Sequence, residues 1–572
     1  MPTLLLLVLV FFFPVCELLW LSFVDNKGAF TLVGFQRAWN SPLYWRVMLI
    51  TLEMSAWTVF ISCLGAYPLA YLLSKARGSK AQFLFILVLV PFWTSFLVRS
   101  FAWMILLGQR GPINNLLIAS GYTDTPLTLL FTPMAVIVSM SHAMMPLAVL
   151  TMLAVMKTID PALGMAAQTM GARGGEAFWR IYFPLSLPGL AAAGLLVLVS
   201  AIGFFIAPAM LGGPRQTMIT QLLISAVTDL LNWQLAGVIS IFILFVAGII
   251  FFIYDRLLGL SSLSGESSRV STDGASSSGL IRKFGLAVAN AAGRLSSLPG
   301  ELLDKLGVRT QSIAGSGDAI LWFVCVALIM FLVLPSLIVL PVAFNSAELT
   351  SFPPDGFSLR WFKEYYESPL WLSATYRSLI VGVLSGILAT ILGGAAAYVL
   401  VFSNIYGRAL VLLVLLMPMI IPRMIFAVGL FRIYSEVGLV GTLTGLTIGH
   451  TIIALPYVMI TMLAVFKTYD VRLDQAAWTL GANRWQSLRF IMAPQVYDGL
   501  IASFLFAFVT SFDDLTVSLF VSGGIVPTLP RQMWSAIFLE VKPILASVST
   551  VILILVTSFV LLGEMLRRRA TR

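Results

Sequence analysis

The stretch TMLAVFKTYD at residues 461–470 decides the fold, because the chain uses almost the same letters once before. The earlier copy, TMLAVMKTID at residues 151–160, agrees with it at eight of ten positions. Extending the copies to 151–172 and 461–482 gives 14 identical positions out of 22, at an offset of 310 residues. A match of this length indicates an internal duplication, so each half of the chain is expected to form the same unit.

The composition indicates what kind of unit is duplicated. Hydrophobic residues make up 59% of the 572 residues and charged residues only 10%, whereas soluble domains have roughly 45–50% and 25%. Apolar runs long enough to span a bilayer lie near residues 2–24, 46–74, 82–107, 127–156, 184–210, 232–258, 318–345, 374–402, 408–434, 440–467, 494–521 and 543–566. The sequence therefore predicts an all-α polytopic membrane protein with about twelve spans.

A second pair of similar stretches gives the relative orientation of the halves. FTLVGFQRAWNSPLYW at 30–45 corresponds to FSLRWFKEYYESPLWL at 357–372, at an offset of 327, so the first half carries 17 extra residues in an outside loop. Because matching loops lie on the same side, we predict two parallel six-helix domains with pseudo-two-fold symmetry. The predicted domains are residues 1–259 and 317–572, joined by a Ser/Gly-rich cytoplasmic linker at 260–316.

The basic residues predict the orientation in the membrane. With the N-terminus inside and twelve alternating spans, 22 of the 35 Lys and Arg fall in inside segments and 11 in outside ones. Excess Lys and Arg mark cytoplasmic loops, so both termini are predicted in the cytoplasm. Topology thus explains the net charge of +10, and we expect membrane lipid but no nucleic acid as a partner.

The sequence does not favour metal or disulfide chemistry. Cys16, Cys63 and Cys325 fall inside predicted spans, so no disulfide or metal framework is implied. His142 and His450 are too few for a zinc or haem site. We interpret both histidines as helix-packing or pore-lining residues.

The duplicated phrase continues into a polar cytoplasmic loop. AAQTMGARGGEAFWRIYFP and AAWTLGANRWQSLRFIMAP share an alanine pair, a glycine four residues later, and Ile-x-x-Pro. This pattern predicts a short helix, a bend that glycine permits, a second short helix, and a proline at the start of the next span. Paired alanines allow a partner surface to approach closely, so we predict a duplicated docking element for a two-fold symmetric partner.

The loop resembles the EAA---G---------I-LP signature of permease subunits of binding-protein-dependent ABC importers, with nine residues between Gly and Ile in both copies. In that family the loop forms the coupling helix that seats in a groove of the ATPase subunit. The resemblance implies these coupling residues: Met165, Ala166, Ala167 and Gly171 in the first copy, and Gln475, Ala476, Ala477 and Gly481 in the second. Met165 and Gln475 replace the signature's Glu, and Asp474 is a candidate substitute in the second copy.

A more specific resemblance covers nearly the whole chain except the linker. PFWTSFLVRSFAWMILLGQRGPINNLL at 91–117 resembles the first permease of spermidine/putrescine importers. TSFDDLTVSLFVSGG at 510–524 and TLPRQMWSAI at 528–537 resemble the second permease. The chain therefore looks like a fusion of both.

The resemblance implies ATP-driven import of a small amine by alternating access, from periplasm to cytoplasm across the bacterial inner membrane. It implies a homodimeric ATPase (two copies per chain) and a periplasmic substrate-binding protein as partners.

The chain itself is not expected to be an enzyme. A phosphate-cradling loop needs Gly followed by Lys, and the dipeptide Gly-Lys does not occur in the sequence. No cofactor is expected in this chain, and the partner ATPase would bind ATP and Mg.

Ionisable residues inside spans are functional candidates by default, because they are costly there. Asp513 and Asp514 are predicted inside the fifth span of the second half, where adjacent side chains lie about 100° apart on a helix. A carboxylate there would attract a substrate ammonium, or would pair with a donor between helices. Arg423 either pairs with these carboxylates or favours a substrate with a carboxylate or phosphonate, and Glu53 is a further candidate partner. Arg99 is a candidate pathway residue or a partner of backbone carbonyls.

Aromatic side chains are the remaining pathway candidates. Trp93, Phe204 and Phe512 are predicted either to line the path through cation–π contacts or to serve as packing residues. The first half has Gly203 and Phe204 at the positions of the acidic pair, so a cation site would be one-sided.

The residues leave some alternatives open. The substrate could be a polyamine, an opine-like or amino-phosphonate compound, or ferric iron. A major facilitator carrier also has two parallel halves of six spans. That class predicts a basic loop between the second and third spans of each half, but only SKARGSK is basic and FSNIYGRA is nearly bare.

Overall fold

In the computed structural model the described residues are 2–25, 27–172, 174–258, 314–348 and 351–570. These residues form helices and contain no strand apart from two isolated bridges. Most of the predicted linker at 260–316 lies outside the described residues. The two halves of the chain are described in turn below.

The first half contains α1 (Pro2–Leu21), α2 (Val33–Asn40), α3 (Pro42–Lys75), α4 (Gly78–Trp93), α5 (Phe96–Leu107), α6 (Pro112–Ala119), α7 (Pro133–Met156), α8 (Pro161–Thr169), α9 (Gly175–Ile202), α10 (Ile206–Leu211), α11 (Ile219–Thr228) and α12 (Trp233–Leu258). The second half contains α13 (Ala314–Ala343), α14 (Arg360–Glu367), α15 (Pro369–Phe402), α16 (Arg408–Ile420), α17 (Arg423–Glu436), α18 (Leu443–Thr468), α19 (Arg472–Thr479), α20 (Arg484–Phe512), α21 (Thr516–Val521), α22 (Leu529–Leu539) and α23 (Ile544–Ala570). The order repeats except for α6, which lies in the predicted outside insertion.

Local sequence explains where the helices begin. Pro42 and Pro369 open α3 and α15, where proline loses nothing because the first N–H groups of a helix have no partner within it. Thr132 caps α7 and Asp160 caps α8, each with a side-chain oxygen that accepts a backbone N–H. In the second half Thr442 caps α18 in the same way, whereas α19 has Val471 at its N-cap without a side-chain cap and begins one residue later than its counterpart.

The spans are less regular than the sequence predicts. Among the described residues, nine helices are long and apolar enough to cross a membrane, and eleven if two bent pairs are each counted as one span. The third predicted span of each half is bent, by 89° between α4 and α5 and by 91° between α16 and α17. Residues Ile544–Phe559 form a shorter apolar helix within α23. The prediction of two parallel helical membrane domains is confirmed, but the twelve spans are not all continuous helices.

The fifth predicted spans, 184–210 and 494–521, are also wrong as continuous helices. Helix α9 ends at Ile202 and α20 ends at Phe512, and a short helix follows each break. Residues at these breaks have backbone groups free of the regular helix, which membrane proteins tolerate where the chain is buried in protein or lines a cavity. The breaks and the bends of the third spans meet at the centre of the molecule, where they surround one cavity.

The first helix of each half packs on the other half. Helix α1 lies against α17, so closely that a Cβ on Gly429 would stand 2.6 Å from the carbonyl oxygen of Pro14. Helix α13 packs on α4 and α5, and the carbonyl oxygen of its Leu332 lies 2.9 Å from Nε2 of His142. Each half therefore supplies a helix to its partner, and the two halves form one interlocked bundle.

Candidate functional site

A cavity of about 680 Å³ lies between the halves. Its walls come from the bent third spans, the fourth spans and the broken fifth spans of both halves. Apolar side chains such as Phe85, Leu89, Phe204 and Leu505 form most of the lining. Its ionisable lining residues, Arg423, Tyr457, Asp513 and Asp514, all belong to the second half.

The sequence analysis placed Asp513 and Asp514 inside a helix, but in the structure they lie outside one. Asp513 is the residue that follows α20, and Asp514 lies in the gap before α21. The argument from the 100° spacing of adjacent residues on a helix therefore does not apply. Because the backbone turns away from the helix axis here, both residues line the cavity.

Asp513 reaches across to the first half of the chain. Its Oδ1 accepts a hydrogen bond from the backbone N–H of Phe96 at 3.2 Å. Phe96 is the first residue of α5, and a carboxylate at a helix N-terminus is stabilised by the unpaired N–H groups and by the helix dipole. The break in α20 and the bend before α5 are thus joined by one contact between the halves.

Asp514 is 3% exposed and uses its two oxygens differently. Oδ2 accepts the N–H of Val517 at 2.8 Å and lies 3.8 Å from Nε2 of His450. Oδ1 is buried and has no hydrogen-bond partner in the described part of the chain. A buried acceptor without a donor is costly, so this oxygen is the group in the cavity that most needs a ligand or a water molecule.

His450 holds the region behind this carboxylate in place. Its Nδ1 lies 2.8 Å from Oγ of Ser511, and its Nε2 lies 3.1 Å from Oγ of Ser518. These two serines stand on either side of the break between α20 and α21. The sequence analysis treated His450 only as a packing or pore-lining residue and missed its link to Asp514, because that contact crosses 64 positions of sequence.

Arg423 lines the same cavity but has a partner that the sequence analysis did not predict. Its Nη2 donates a hydrogen bond to the hydroxyl oxygen of Tyr457 at 2.8 Å. In the described structure it forms no ion pair within 4.0 Å with Asp513 or Asp514, so the first of its two predicted alternatives, direct pairing with these carboxylates, is not observed. Arg423 is the first residue of α17, and the bend before it directs the side chain toward α18 instead.

The duplication explains why the charged wall is one-sided. At the offset of 327, Arg423 corresponds to Phe96, and at the offset of 310, Tyr457 corresponds to Leu147. The acidic pair corresponds to Gly203 and Phe204, as the sequence shows. Phe96, Leu147, Gly203 and Phe204 also line the cavity. Equivalent positions therefore present ionisable groups on one side and apolar groups on the other.

For two of the pathway candidates, the observed role is the packing alternative that the sequence also left open. Arg99 is buried and does not line the cavity; its Nη1 donates to the carbonyl oxygen of Ala143 at 3.0 Å, and its guanidinium lies 4.3 Å from the ring centroid of Phe96. Phe512 is buried and stacks on Phe508 with the ring centroids 5.6 Å apart. Both residues pack behind the cavity walls, and neither is among the residues that line the cavity.

The three remaining pathway candidates have different outcomes. Phe204 lines the cavity and packs edge-on against Phe96 at 5.5 Å. Glu53 is exposed on α3, lies outside the cavity lining and forms no ion pair among the described residues, so it is not the partner of Arg423. Trp93 ends α4, but its side chain lies outside the described part of the structure.

The loops that follow the fourth spans take the predicted helix–bend–helix form in both copies. Gly171 and Gly481 follow α8 and α19 with φ of +90° and +88°, values that side-chain-bearing residues rarely adopt. No atom lies within 4 Å of a Cβ built on either glycine, so the backbone conformation, and not crowding, requires glycine here.

The predicted coupling residues of the loops divide by exposure. Met165, Ala166, Gln475 and Ala476 are exposed, whereas Ala167 and Ala477 are buried against their own loops. The first alanine of each pair faces outward and the second faces inward, because neighbouring residues of a helix face different directions, and the coupling assignment stays a prediction.

The loops also expose large apolar side chains that the sequence analysis did not single out. Met170 is 83% exposed and Leu480 is 88% exposed, and each precedes the glycine of its loop. Trp478 and Trp485 are exposed in the second loop. Contiguous exposed apolar side chains of this kind mark interaction sites, so the two loops present similar unpartnered surfaces.

Two parallel helical membrane domains around a shared central cavity, with a matched surface loop on each, define a membrane permease. The chain belongs to the family of binding-protein-dependent transport system inner membrane components, whose model matches residues 66–261 and 382–572. This membership makes the chain a multi-pass inner-membrane protein and a transport subunit of an ABC importer.

The relatives correspond to one half of the chain each. The spermidine/putrescine transport system permease protein PotB of Salmonella typhimurium (strain SL1344) is 33% identical over 257 residues, which are 44% of this chain and 89% of that protein. PotB of Escherichia coli (strain K12) is 31% identical over 256 residues, covering 44% and 93%. PotC of Escherichia coli (strain K12) is 28% identical over 246 residues, covering 43% and 93%. A solved bacterial alginate ABC transporter has a TM-score of 0.41 at 19% identity and covers 47% of this chain and 94% of that chain. With two family domains, and with relatives of the PotB and PotC type that each match about half of its length, this chain is a fused permease of the spermidine/putrescine type.

Proposed function

We propose that this permease moves a small amine-containing solute, such as spermidine or putrescine, from the periplasm to the cytoplasm by ATP-driven alternating access. The observation that carries the proposal is the buried, unpartnered Oδ1 of Asp514 at the wall of the cavity. An ammonium group would supply the missing donor, and a charge-assisted hydrogen bond to a carboxylate is stronger than one between neutral groups.

The rest of the cavity suits the methylene chain of a polyamine. Phe85, Leu89, Phe96 and Phe204 offer apolar and aromatic surface on the side without ionisable groups. Aromatic faces also attract cations, so a second amine has a weaker site there. Because the acidic pair stands on one side only, we propose that the cavity holds one end of the solute firmly and the other end loosely. A transporter has to release its solute, and loose holding favours release.

The guanidinium of Arg423 favours a second candidate substrate class. It lines the same cavity as the carboxylates and has Tyr457 as its hydrogen-bond partner. A substrate with an amine and a carboxylate or phosphonate, such as an opine-like or amino-phosphonate compound, would satisfy both signs of charge. The ferric-iron alternative has less support, because no group of three or more His, Cys, Asp or Glu among the described residues is arranged to hold a metal ion.

We propose that the cavity of this structure opens toward the cytoplasm. With both termini inside, as the basic residues favour, Gln82 and Leu561 lie near the cytoplasmic ends of α4 and α23, and both line the cavity. Beyond the breaks, the short helices α10 and α21 are almost entirely buried and close the opposite side. In this orientation the acidic pair lies at the closed inner end of the cavity.

The two loops are the proposed docking sites for a homodimeric ATPase, with one ATPase copy on each loop. Their exposed apolar residues, Met165 and Met170 in one loop and Leu480 and Trp485 in the other, would be covered by that partner. ATP and Mg would be bound by the ATPase, and a periplasmic substrate-binding protein would deliver the solute to the opposite face. No cofactor is assigned to this chain.

Reconstitution tests the proposal. The chain would be placed in liposomes with its ATPase and its binding protein, and uptake of radiolabelled spermidine would be measured with ATP inside and outside. We expect uptake that needs ATP on the side of the loops. Uptake without ATP, or efflux in the presence of ATP, would refute the importer mechanism, and uptake of an amino-phosphonate in place of spermidine would select the second substrate class.

A further inference from the structure

Asp474 is a buried carboxylate in the second cytoplasmic loop. It lies in the first turn of α19, is 6% exposed, and accepts hydrogen bonds on a single oxygen from two hydroxyl groups. The hydroxyl of Tyr469, just before the loop helix, donates to Oδ1 at 3.0 Å. The hydroxyl of Ser487, beyond the glycine bend, donates to the same Oδ1. One oxygen thus joins the entry, the middle and the exit of the loop.

This position excludes the role that the sequence analysis considered for Asp474. A residue that replaces the signature's Glu at the partner surface would have to be exposed, whereas the neighbouring Gln475 is exposed and Asp474 faces inward. Burial and the hydrogen bond to Asp474 both raise the pKa of Tyr469, so its phenol stays protonated and remains a donor at neutral pH. The three side chains therefore form a permanent internal brace.

The first loop lacks every member of this brace. At the offset of 310, Tyr469, Asp474 and Ser487 correspond to Ile159, Gly164 and Ala177, none of which has a side-chain hydrogen-bonding group. The first loop is instead attached at its exit, where the hydroxyl of Tyr182 lies 2.9 Å from Oγ of Ser74 on α3. The two loops match in backbone form but differ in how their parts are held together.

The brace also connects the second loop to the span that leads into it. The ring of Tyr469 packs edge-on against Phe402, at the end of α15, with the centroids 6.0 Å apart. Phe402 in turn contacts Phe466, near the end of α18. Packed rings and a hydrogen bond thus link α19 to the ends of α15 and α18.

We propose that Asp474 is a positioning residue that makes the second loop a stiff lever, so that the ATPase drives the second half of the permease more tightly than the first. This inference rests on the proposed docking of the ATPase at the loops. The carboxylate touches neither the solute nor, by its burial, the ATPase; it acts by keeping α19 and the residues after Gly481 in one arrangement.

Hydrogen–deuterium exchange on the full-length chain tests the brace without any partner. Asp474→Ala removes the acceptor of both hydrogen bonds. The backbone amides of 472–487 should then exchange on the order of tenfold faster, because a hydrogen bond to a charged group shifts an opening equilibrium by at least that factor. The control is Asp470→Asn, an exposed carboxylate of the same loop that accepts the N–H of Arg472, which Asn can also accept. Asp474→Asn keeps one oxygen that can accept from both hydroxyl groups but removes the charge, so its exchange rate should fall between those of Asp474→Ala and the unsubstituted chain. Unchanged exchange in Asp474→Ala would overturn the brace.

The assembled complex tests the role in coupling. Asp474→Ala and the pair Tyr469→Phe with Ser487→Ala should lower the number of spermidine molecules moved per ATP several-fold, with ATPase binding within about twofold of the unsubstituted chain. Faster exchange with an unchanged ratio would overturn the lever. An unsubstituted chain that binds no ATPase would instead refute the proposed function and would leave the exchange result intact.

Building the brace into the first loop gives a second test, which still works if Asp474→Ala unfolds the second loop. Ile159→Tyr, Gly164→Asp and Ala177→Ser would build the same three groups into the first loop, and a Cβ on Gly164 meets no atom within 4 Å. We expect slower exchange in the first loop and a higher ratio of solute moved to ATP hydrolysed. Slower exchange without a change in that ratio would count against stiffness as the cause of coupling.

Discussion

Asp513 Oδ1 accepts a hydrogen bond from the N–H of Phe96 at 3.2 Å, although 417 positions separate the two residues. The contact joins the broken fifth span of one half to the bent third span of the other, at the inner end of the cavity. Its neighbour Asp514 has an oxygen without a donor. Two adjacent carboxylates with the same sequence signal therefore differ in the structure: one connects the halves, and the other holds the buried acceptor on which the proposed ammonium site rests.

This difference predicts unequal effects of neutralisation. Asp514→Asn should lower spermidine transport on the order of tenfold or more, because a hydrogen bond to a charged group contributes about 1.5–3 kcal/mol. ATPase binding should be unchanged. The measurement is ATP-dependent uptake in proteoliposomes, with Asp498→Asn on α20, outside the cavity lining, as the matched control. Uptake by Asp514→Asn at the level of the unsubstituted chain would refute the proposed ammonium site at Asp514.

Asp513→Asn is expected to act on the association of the halves. The amide still accepts the N–H of Phe96 but loses the charge that the N-terminus of α5 favours, a contribution of about 0.3–2 kcal/mol. We expect a lower melting temperature of the purified chain and a smaller loss of transport than in Asp514→Asn. A larger loss of transport with unchanged melting would show that Asp513 is the main ligand.

Arg423 distinguishes a polyamine from a zwitterionic substrate. If its task is to hold Tyr457, Arg423→Ala and Tyr457→Phe should have similar, small effects on spermidine uptake. If the guanidinium binds an acidic group, Arg423→Ala should abolish uptake of an amino-phosphonate, while Tyr457→Phe leaves most of it. Competition assays with both compounds check this, and a strong loss of spermidine uptake in Arg423→Ala alone would contradict both interpretations.

The loop glycines are expected to be sensitive to any side chain. Gly481→Ala and Gly171→Ala place a Cβ on a left-handed backbone, which costs roughly 1–2 kcal/mol, so the bend should shift and stimulated ATP hydrolysis should fall. Gly481→Trp should reduce transport and hydrolysis together while the protein still reaches the membrane. Gly394→Ala is the control, since its position on α15 has no atom within 4 Å of a new Cβ and no left-handed φ. Normal coupling in Gly481→Trp would refute the docking assignment.

The two halves should assemble without the linker. Because α1 packs on the second half and α13 on the first, residues 1–262 and 312–572 expressed as separate chains are expected to associate and transport. Gly429→Leu should prevent this association, since its Cβ position lies 2.6 Å from the carbonyl oxygen of Pro14. Co-purification through a tag on one chain measures the outcome. Two stably inserted halves that fail to associate would show that the linker has a structural role.

The sequence by itself determined the architecture. Hydrophobic runs of bilayer length and two repeats at offsets of 310 and 327 are local or additive signals, so the parallel halves, the insertion in the first half and the loop bends at Gly171 and Gly481 could all be predicted from them. The resemblance of both halves to polyamine permeases likewise rests on contiguous stretches of sequence. These features need no knowledge of which side chains meet in space.

Only the tertiary structure decided the site. The breaks after Ile202 and Phe512 were not predicted, because Gly203 and the Asp513/Asp514 pair lie within apolar runs of the length of one continuous span. The partners of Arg423, Asp513 and Asp514 lie 34, 417 and 64 positions away, and hydrogen-bond geometry decides among candidates that sequence leaves equal. The loops show the same limit: Asp474 and Gln475 are adjacent in sequence, and only the packing of α19 makes one a buried brace and the other a surface residue.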